Sequence, residues 1–200
     1  IAALTLSFAA QAAVHTCTPA ANSLSWCLTQ ADTLILTDGV YEEAYTISIE
    51  KPGVLIKAAE GAKPVIKLTG EWTSLQLYAT ITFDGITVDG TGVCYYPISA
   101  FGSDAGTYTF KNCEFTGWTY WAISNHYESN THVDNVLIEN CIFHDAAGSA
   151  VYFNDIFICI NGSTECPTIP NLFIIINQYS IATTFASTVR FCCTILHQVN

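Results

Sequence analysis

The chain has no methionine, only six basic residues and no charged side chain before Asp32. Each shortage excludes something. Six Lys and Arg against seventeen Asp and Glu leave a formal net charge of −11. No cationic stripe can form on such a surface to meet a phosphate backbone, so nucleic acid is excluded as a partner. Beyond the N-terminal stretch no apolar run is long enough for a membrane-spanning helix. No Cys-x-x-Cys pair is present and Cys192 and Cys193 are adjacent, a spacing that argues against a zinc site. Disorder is excluded as well, because 50% of the 200 residues are hydrophobic and 12% aromatic. An acidic chain that stays unfolded is poor in both. The length fits one domain with a sizeable core.

The two ends read differently from the middle. Residues 1–12 resemble the rear of a secretory signal peptide, with an apolar segment from Ile1 to Phe8 and a small-x-small cleavage pattern at Ala10-Gln11-Ala12. A secreted or extracellular location follows, and nine cysteines suit an oxidising compartment. Residues 13–30 read as an N-terminal cap segment that a Cys17–Cys27 bridge would staple. Cys159 and Cys166 would close a loop, and the odd count leaves a thiol unpaired in the chain. Residues 156–200 carry only Glu165 and Arg190 as charges. Asn171 to Ser180 reads as a strand of a further coil. The atypical remainder fits a truncated or frame-shifted end.

Between residues 31 and 155 short β-rich runs recur, separated by Gly, Asn, Asp and Pro, with no competing amphipathic helix of useful length. Phe83-Asp84-Gly85-Ile86-Thr87-Val88 aligns with Phe110-Lys111-Asn112-Cys113-Glu114-Phe115, and that run with Ile138-Glu139-Asn140-Cys141-Ile142-Phe143. The offsets are twenty-seven and then twenty-eight, and a further twenty-seven back lies Ile56-Lys57-Ala58. Ala122-Ile123-Ser124 precedes Ala150-Val151-Tyr152 by the same twenty-eight. A fixed period with about three short strands per repeat specifies an all-β solenoid, the parallel β-helix, with coils stacked at about 4.8 Å. The register predicts inner columns Phe83–Phe110–Ile138 and Val88–Phe115–Phe143. It also predicts an Asn112–Asn140 column at a bend and Cys113 and Cys141 as stacked small hydrophobes. The outward column reads Lys57, Asp84, Lys111, Glu139, alternating in charge although charge played no part in the alignment.

This pattern resembles the pectate-lyase-like superfamily of right-handed parallel β-helices, over about residues 30–155. The opening Ala31-Asp32-Thr33-Leu34-Ile35-Leu36-Thr37-Asp38-Gly39-Val40-Tyr41 is similar to the first coil of secreted bacterial β-helices near chondroitinase B and alginate lyase. Ile47-Ser48-Ile49-Glu50-Lys51-Pro52-Gly53-Val54-Leu55-Ile56-Lys57-Ala58 and the Asn-Cys-x-Phe steps at Asn112 and Asn140 also resemble that group. The resemblance implies a polysaccharide partner, often acidic, and a bacterial periplasmic or cell-surface location. Where members are lyases it implies β-elimination, with a Lys or Arg base and Ca²⁺ or cationic side chains neutralising the uronate carboxylate.

Three sets of residues carry the functional expectations. For substrate, Tyr95, Tyr96, Trp118, Tyr120, Trp121 and Tyr152 fall on successive coils, where flat rings suit the apolar faces of sugars. For catalysis, Lys111 is the one mid-solenoid base, and His126 with Tyr127 offers a base–acid pair. Glu128 and Asp145 offer a carboxylate pair, with His132, Asp134 and His144 in the same region. For metal, Asp84, Glu114 and Glu139 on neighbouring coils offer oxygen ligands to Ca²⁺, which would also bridge an acidic chain to a polyuronate. The leading expectation is a polysaccharide-binding or -processing β-helix, a fragment of a lyase-like protein. The alternative is a structural or adhesive surface domain with no enzymatic site.

Overall fold

The computed structural model describes residues 13–101, 107–125, 135–154, 157–161 and 174–177. The first segment contains β1 (Val14–Cys17) and a short helix α1 (Ser23–Gln30). Fifteen strands follow in five sets of three. The first set is β2 (Thr33–Leu36), β3 (Gly39–Glu43) and β4 (Ile47–Ile49). The second is β5 (Val54–Ala58), β6 (Pro64–Leu68) and β7 (Leu75–Leu77). The third is β8 (Ile81–Asp84), β9 (Thr87–Asp89) and β10 (Ile98–Ala100). The fourth is β11 (Thr107–Lys111), β12 (Glu114–Thr116) and β13 (Trp121–Asn125). The fifth is β14 (Asn135–Glu139), β15 (Ile142–His144) and β16 (Ser149–Asn154), before β17 (Phe157–Asn161) and β18 (Ile174–Asn177).

Each set is one coil, and every strand pairs in parallel with its equivalent one coil away. The first sheet runs β1-β2-β5-β8-β11-β14-β17, the second β3-β6-β9-β12-β15, and the third β4-β7-β10-β13-β16-β18. The chain is therefore a parallel β-solenoid, as the repeat required. β18 falls inside the Asn171–Ser180 segment that read as a strand.

The register agrees with the alignment residue by residue. Ile56, Phe83, Phe110 and Ile138 form one inner column, and Val88, Phe115 and Phe143 another. Phe83 and Phe110 stack at 5.4 Å, and Phe115 and Phe143 at 4.9 Å, so the columns bring rings face to face. Lys57, Asp84, Lys111 and Glu139 stand in register on the outer face. Alternation of inward and outward side chains along each strand follows from the two-residue period of extended backbone.

Coil length is set sheet by sheet rather than by one number. In the first sheet Thr33, Leu55, Thr82, Thr109, Leu137 and Cys159 are successive partners, with steps of twenty-two, twenty-seven, twenty-seven, twenty-eight and twenty-two residues. In the third sheet Ile47, Leu75, Ile98, Ile123, Val151 and Ile174 are successive partners, with steps of twenty-eight, twenty-three, twenty-five, twenty-eight and twenty-three residues. Turns bulge outward by different amounts without disturbing the strands they join.

The bends between the first and second sheets need a left-handed backbone. Gly85 (φ 72°), Asn112 (φ 52°) and Asn140 (φ 52°) occupy that position in three consecutive coils. Glycine meets it without a Cβ, and asparagine is among the side chains that tolerate it best. The Asn112 Nδ2 donates to Asp84 Oδ1 at 2.7 Å, and the Asn140 Nδ2 to Asn112 Oδ1 at 3.4 Å. Cys113 and Cys141 are free thiols stacked beside this column, as expected of small hydrophobes.

The segment read as a cap contains the helix α1. Helix α1 sends Leu24 and Cys27 into the core and packs against β1 and β3. Cys17 and Cys27 are brought together there, but as free thiols rather than the expected bridge. Cys166, half of the other expected bridge, lies outside the described residues. The Leu24 N–H donates to the buried Glu43 carboxylate at 2.8 Å. Asn22 bonds the edge of β3 on both sides, its N–H to Glu42 O and its Oδ1 from the Ala44 N–H.

Candidate functional site

The site is built on turns that stack. The Tyr95 N–H donates to Glu71 O at 2.8 Å, the Thr119 N–H to Cys94 O at 2.9 Å, and the Trp121 N–H to Tyr95 O at 3.1 Å. The turns entering β7, β10 and β13 are thus held one above another like the strands. Gly148 allows the next turn to close on this pile, because a Cβ there would overlap the Tyr120 carbonyl. Gly117 (φ 69°) does the same in the preceding coil, where a Cβ would meet the Thr91 and Gly92 backbone nitrogens at 2.9 Å.

These turns carry a continuous row of rings. Trp72 meets Tyr95 edge-on at 4.8 Å and Tyr96 at 6.0 Å. Tyr120 lies 5.0 Å from Tyr95 and 5.7 Å from Tyr96. Trp121 lies 5.4 Å from Tyr96 and stacks on Tyr152 at 4.2 Å with planes 12° apart. The row crosses four coils along the solenoid axis. Trp72 is 68% exposed and Tyr120 51%, while the other four rings are half-buried. Outer rings wedge against each other here as inner rings do in the core, but they keep a face or an edge toward solvent.

Trp118 does not join this row. It is 3% exposed, packs edge-on against Phe143 at 6.0 Å and donates its Nε1–H to Ser149 O at 2.9 Å. Its expected contact with substrate is corrected to a core role, since a buried indole whose one donor is satisfied presents nothing to a ligand. Trp72 completes the row, and the repeat gave no sign of it. Glu71 and Tyr95 are paired through a backbone bond twenty-four apart in the chain, close to the twenty-three-residue step of β7 and β10 but short of the twenty-seven of the sequence repeat.

The row is uncharged apart from its rim. The Tyr95 hydroxyl lies above the ordinary phenol range, mainly through its hydrogen bond with the Glu71 carboxylate and then through partial burial. The Tyr96 hydroxyl is raised by burial and by Tyr120 beside it. Both therefore remain neutral phenols near neutral pH, able to donate and accept hydrogen bonds.

The expected catalytic residues lie elsewhere or outside the described residues. His126 and Tyr127 are not among the described residues, nor are Glu128, His132 and Asp134. Lys111 ends β11 in the first sheet, whereas the aromatic row borders the third. Its Nζ sits 3.1 Å from the Glu139 carboxylate, with Asp84 on its other side in register. With its ammonium engaged by Glu139, Lys111 serves as a ladder rung.

His144 is clamped in a similar way. Its Nδ1 lies 2.7 Å from Asp145 Oδ2 and its Nε2 2.7 Å from Glu114 Oε1. Both bonds favour the imidazolium, Asp145 most strongly, and raise its pKa above the ordinary 6.5. With both ring nitrogens engaged, His144 ties β12 to β15 and has no free nitrogen for general-base chemistry.

The three expected calcium ligands are not brought together. Asp84 accepts from Asn112, Glu139 pairs with Lys111, and Glu114 binds His144 from the second sheet. Lys111 stands between Asp84 and Glu139 in the column. The expectation failed because equivalent residues two coils apart are separated by the rung between them. A cleft of about 440 Å³ lies between α1 and β4, lined by Leu28, Thr29, Thr46, Ser48, Glu50 and neighbours. None of the expected site residues lines it.

No protein-family model matches the chain, and no curated protein matches its sequence. The class defined by the described residues is a parallel β-solenoid with an aromatic row along one corner. Among those residues no helix is long and apolar enough to cross a membrane.

Proposed function

We propose that the chain binds an extended polysaccharide along the aromatic row. The observation that carries this reading is the unbroken sequence Trp72, Tyr95/Tyr96, Tyr120/Trp121, Tyr152 across consecutive coils. Coils repeat at about 4.8 Å, close to the length of one pyranose unit, so each coil can meet one sugar. Aromatic faces supply apolar contact, and phenol hydroxyls supply hydrogen bonds to ring substituents. The Glu71 carboxylate bonded into the row opposes a polyuronate and favours a neutral glycan unless calcium intervenes.

The pectate-lyase-like relationship, with its right-handed coil and secreted location, belongs to the same proposal. The opening-coil segment and the Asn-Cys-x-Phe steps support it. A lyase step needs a free base beside the uronate, and the pairing of Lys111 with Glu139 speaks against Lys111 in that role. The second reading, a structural or adhesive surface domain, draws support from the mutually paired outer column.

The test is a glycan panel read by affinity electrophoresis and calorimetry, with and without calcium, alongside absorbance of unsaturated uronates. Binding of one glycan class is expected. Trp121→Ala should weaken it at least about tenfold, or about 1.4 kcal/mol. Lys111→Ala should leave it unchanged. Binding that survives loss of Trp72, Tyr96 and Trp121 together would remove the proposal. A failure to bind any glycan would leave the scaffold reading.

A further inference from the structure

His15, Cys17 and Cys27 place one ligand atom each within 4.8 Å of one another. The sequence spacing contains no local metal knuckle, and the cluster arises only through the fold. His15 and Cys17 are two apart on β1, so an extended backbone sends both side chains to the same face. Cys27 reaches that face from the buried side of α1. Both thiols are 1% exposed, while His15 is half-buried at the edge.

The surroundings hold the three groups in place. The Tyr41 hydroxyl donates to Cys17 O at 2.7 Å and the Thr37 hydroxyl to the same oxygen at 3.1 Å. The Glu43 carboxylate anchors the first turn of α1 through the Leu24 N–H at 2.8 Å. The edge of Trp26 meets the His15 ring at 5.2 Å with planes 76° apart, limiting its rotation.

We infer that His15, Cys17 and Cys27 form a binding site for a zinc-class cation. A tetrahedral zinc with bonds of about 2.0–2.3 Å holds its ligand atoms about 3.3–3.8 Å apart, within reach of this cluster by small side-chain rotations. Two thiolates and a neutral imidazole balance a divalent charge. Sulfur and nitrogen donors select zinc or cobalt over calcium or magnesium, which require oxygen. Three protein ligands would leave a fourth position for water or another donor. A Cys17–Cys27 disulfide would use both sulfurs and leave the convergence of His15 on them without a role. Bound metal would tie β1 to α1 and close the N-terminal end of the solenoid, so its binding energy would add to the stability of that end.

The test uses the full chain, reduced and anaerobic, titrated with Co²⁺ and then with Zn²⁺. One Co²⁺ per chain is expected, with thiolate-to-metal charge-transfer absorption and the visible bands of a tetrahedral ion, both bleached by Zn²⁺. Cys17→Ser and Cys27→Ser should each abolish the bands. Cys substitutions in the core can impair folding, so His15→Ala at the edge is the second variant. It should keep the circular dichroism of the wild type and weaken Co²⁺ binding at least about tenfold. Absence of the bands in the reduced wild type would overturn the inference. So would bands that persist unchanged in Cys17→Ser and His15→Ala, since other cysteines would then hold the ion.

Discussion

Phe110 and Lys111 are neighbours in β11 and stand on opposite faces of one sheet. Each belongs to a column of four equivalent residues, and each touches the rungs before and after it in register. The geometry is the same and the physics is not. Phe110 is fully buried between Phe83 and Ile138, with Phe115 edge-on at 5.8 Å. The side chains of Lys111 and Glu139 are 40% and 33% exposed, so water screens their attraction. One register therefore produces a column that holds the coils together and another that contributes solubility and a little order. The aromatic row is a third case, in which core-like ring packing is carried out to the surface.

The strongest way to sharpen this comparison is to remove one inner rung. Phe110→Ala leaves a cavity between two stacked neighbours and should cost about 3–5 kcal/mol, measured by equilibrium denaturant unfolding. A cost below about 1 kcal/mol would show that the coils slide to refill the space and that the inner column is not a rigid stack.

Glu43 breaks the comparison from within, because it is a carboxylate on an inner face. Glu43→Ala orphans the Leu24 N–H and should cost about 1–3 kcal/mol. Glu43→Gln keeps an acceptor and removes the buried charge, so it should be neutral or stabilising at pH 7. Burial raises the Glu43 pKa above 4.5 in the folded state. The folded chain then binds a proton that the unfolded chain releases, and stability falls as pH rises from 4.5 through the folded value. Glu43→Gln should flatten that slope, and thermal melts across pH 4–8 read it directly.

Asn112 separates backbone from side chain at the bend. Asn112→Ala should cost about 1–2 kcal/mol, from a left-handed φ and a lost bond to Asp84. Asn112→Gly should recover most of it, as Gly85 does naturally one coil earlier. Equal losses in both variants would assign the whole effect to the amide column.

The outer rungs should give the smallest effects. Lys111→Ala should change stability by no more than about 0.5 kcal/mol and less in high salt. His144→Gln should cost a few tenths to about 1 kcal/mol, discounted because the side chain is partly exposed. Its pKa is raised in the folded state, so the contribution is complete below 6.5 and disappears as pH rises through the folded value. A His144→Gln loss that grew with pH would refute the carboxylate clamp.

Much of this was legible in the chain. The columns through Phe83, Phe110 and Ile138 and through Lys57, Asp84, Lys111 and Glu139 follow from the offset alone. A strand that stacks on its own repeat must place equivalent residues together. The repeat does not mark Trp72, because turns have no such constraint and the step from Glu71 to Tyr95 follows the shorter third-sheet spacing rather than the twenty-seven of the first sheet. Trp118 was misplaced for a related reason. A run of aromatics in a turn has no two-residue alternation to say which ring points inward. The calcium set failed because shared sign and shared column do not make shared space when a lysine stands between the acids.

The sequence by itself determined the fold class, the order of the coils and the contents of each column, because parallel stacking converts periodicity into contact. Only the tertiary structure decided which turn rings form a surface row, which charges neutralise each other, and that His15 and Cys17 meet Cys27. Those outcomes depend on turn shape and on side chains arriving from elements that share no repeat, and no period in the chain encodes either.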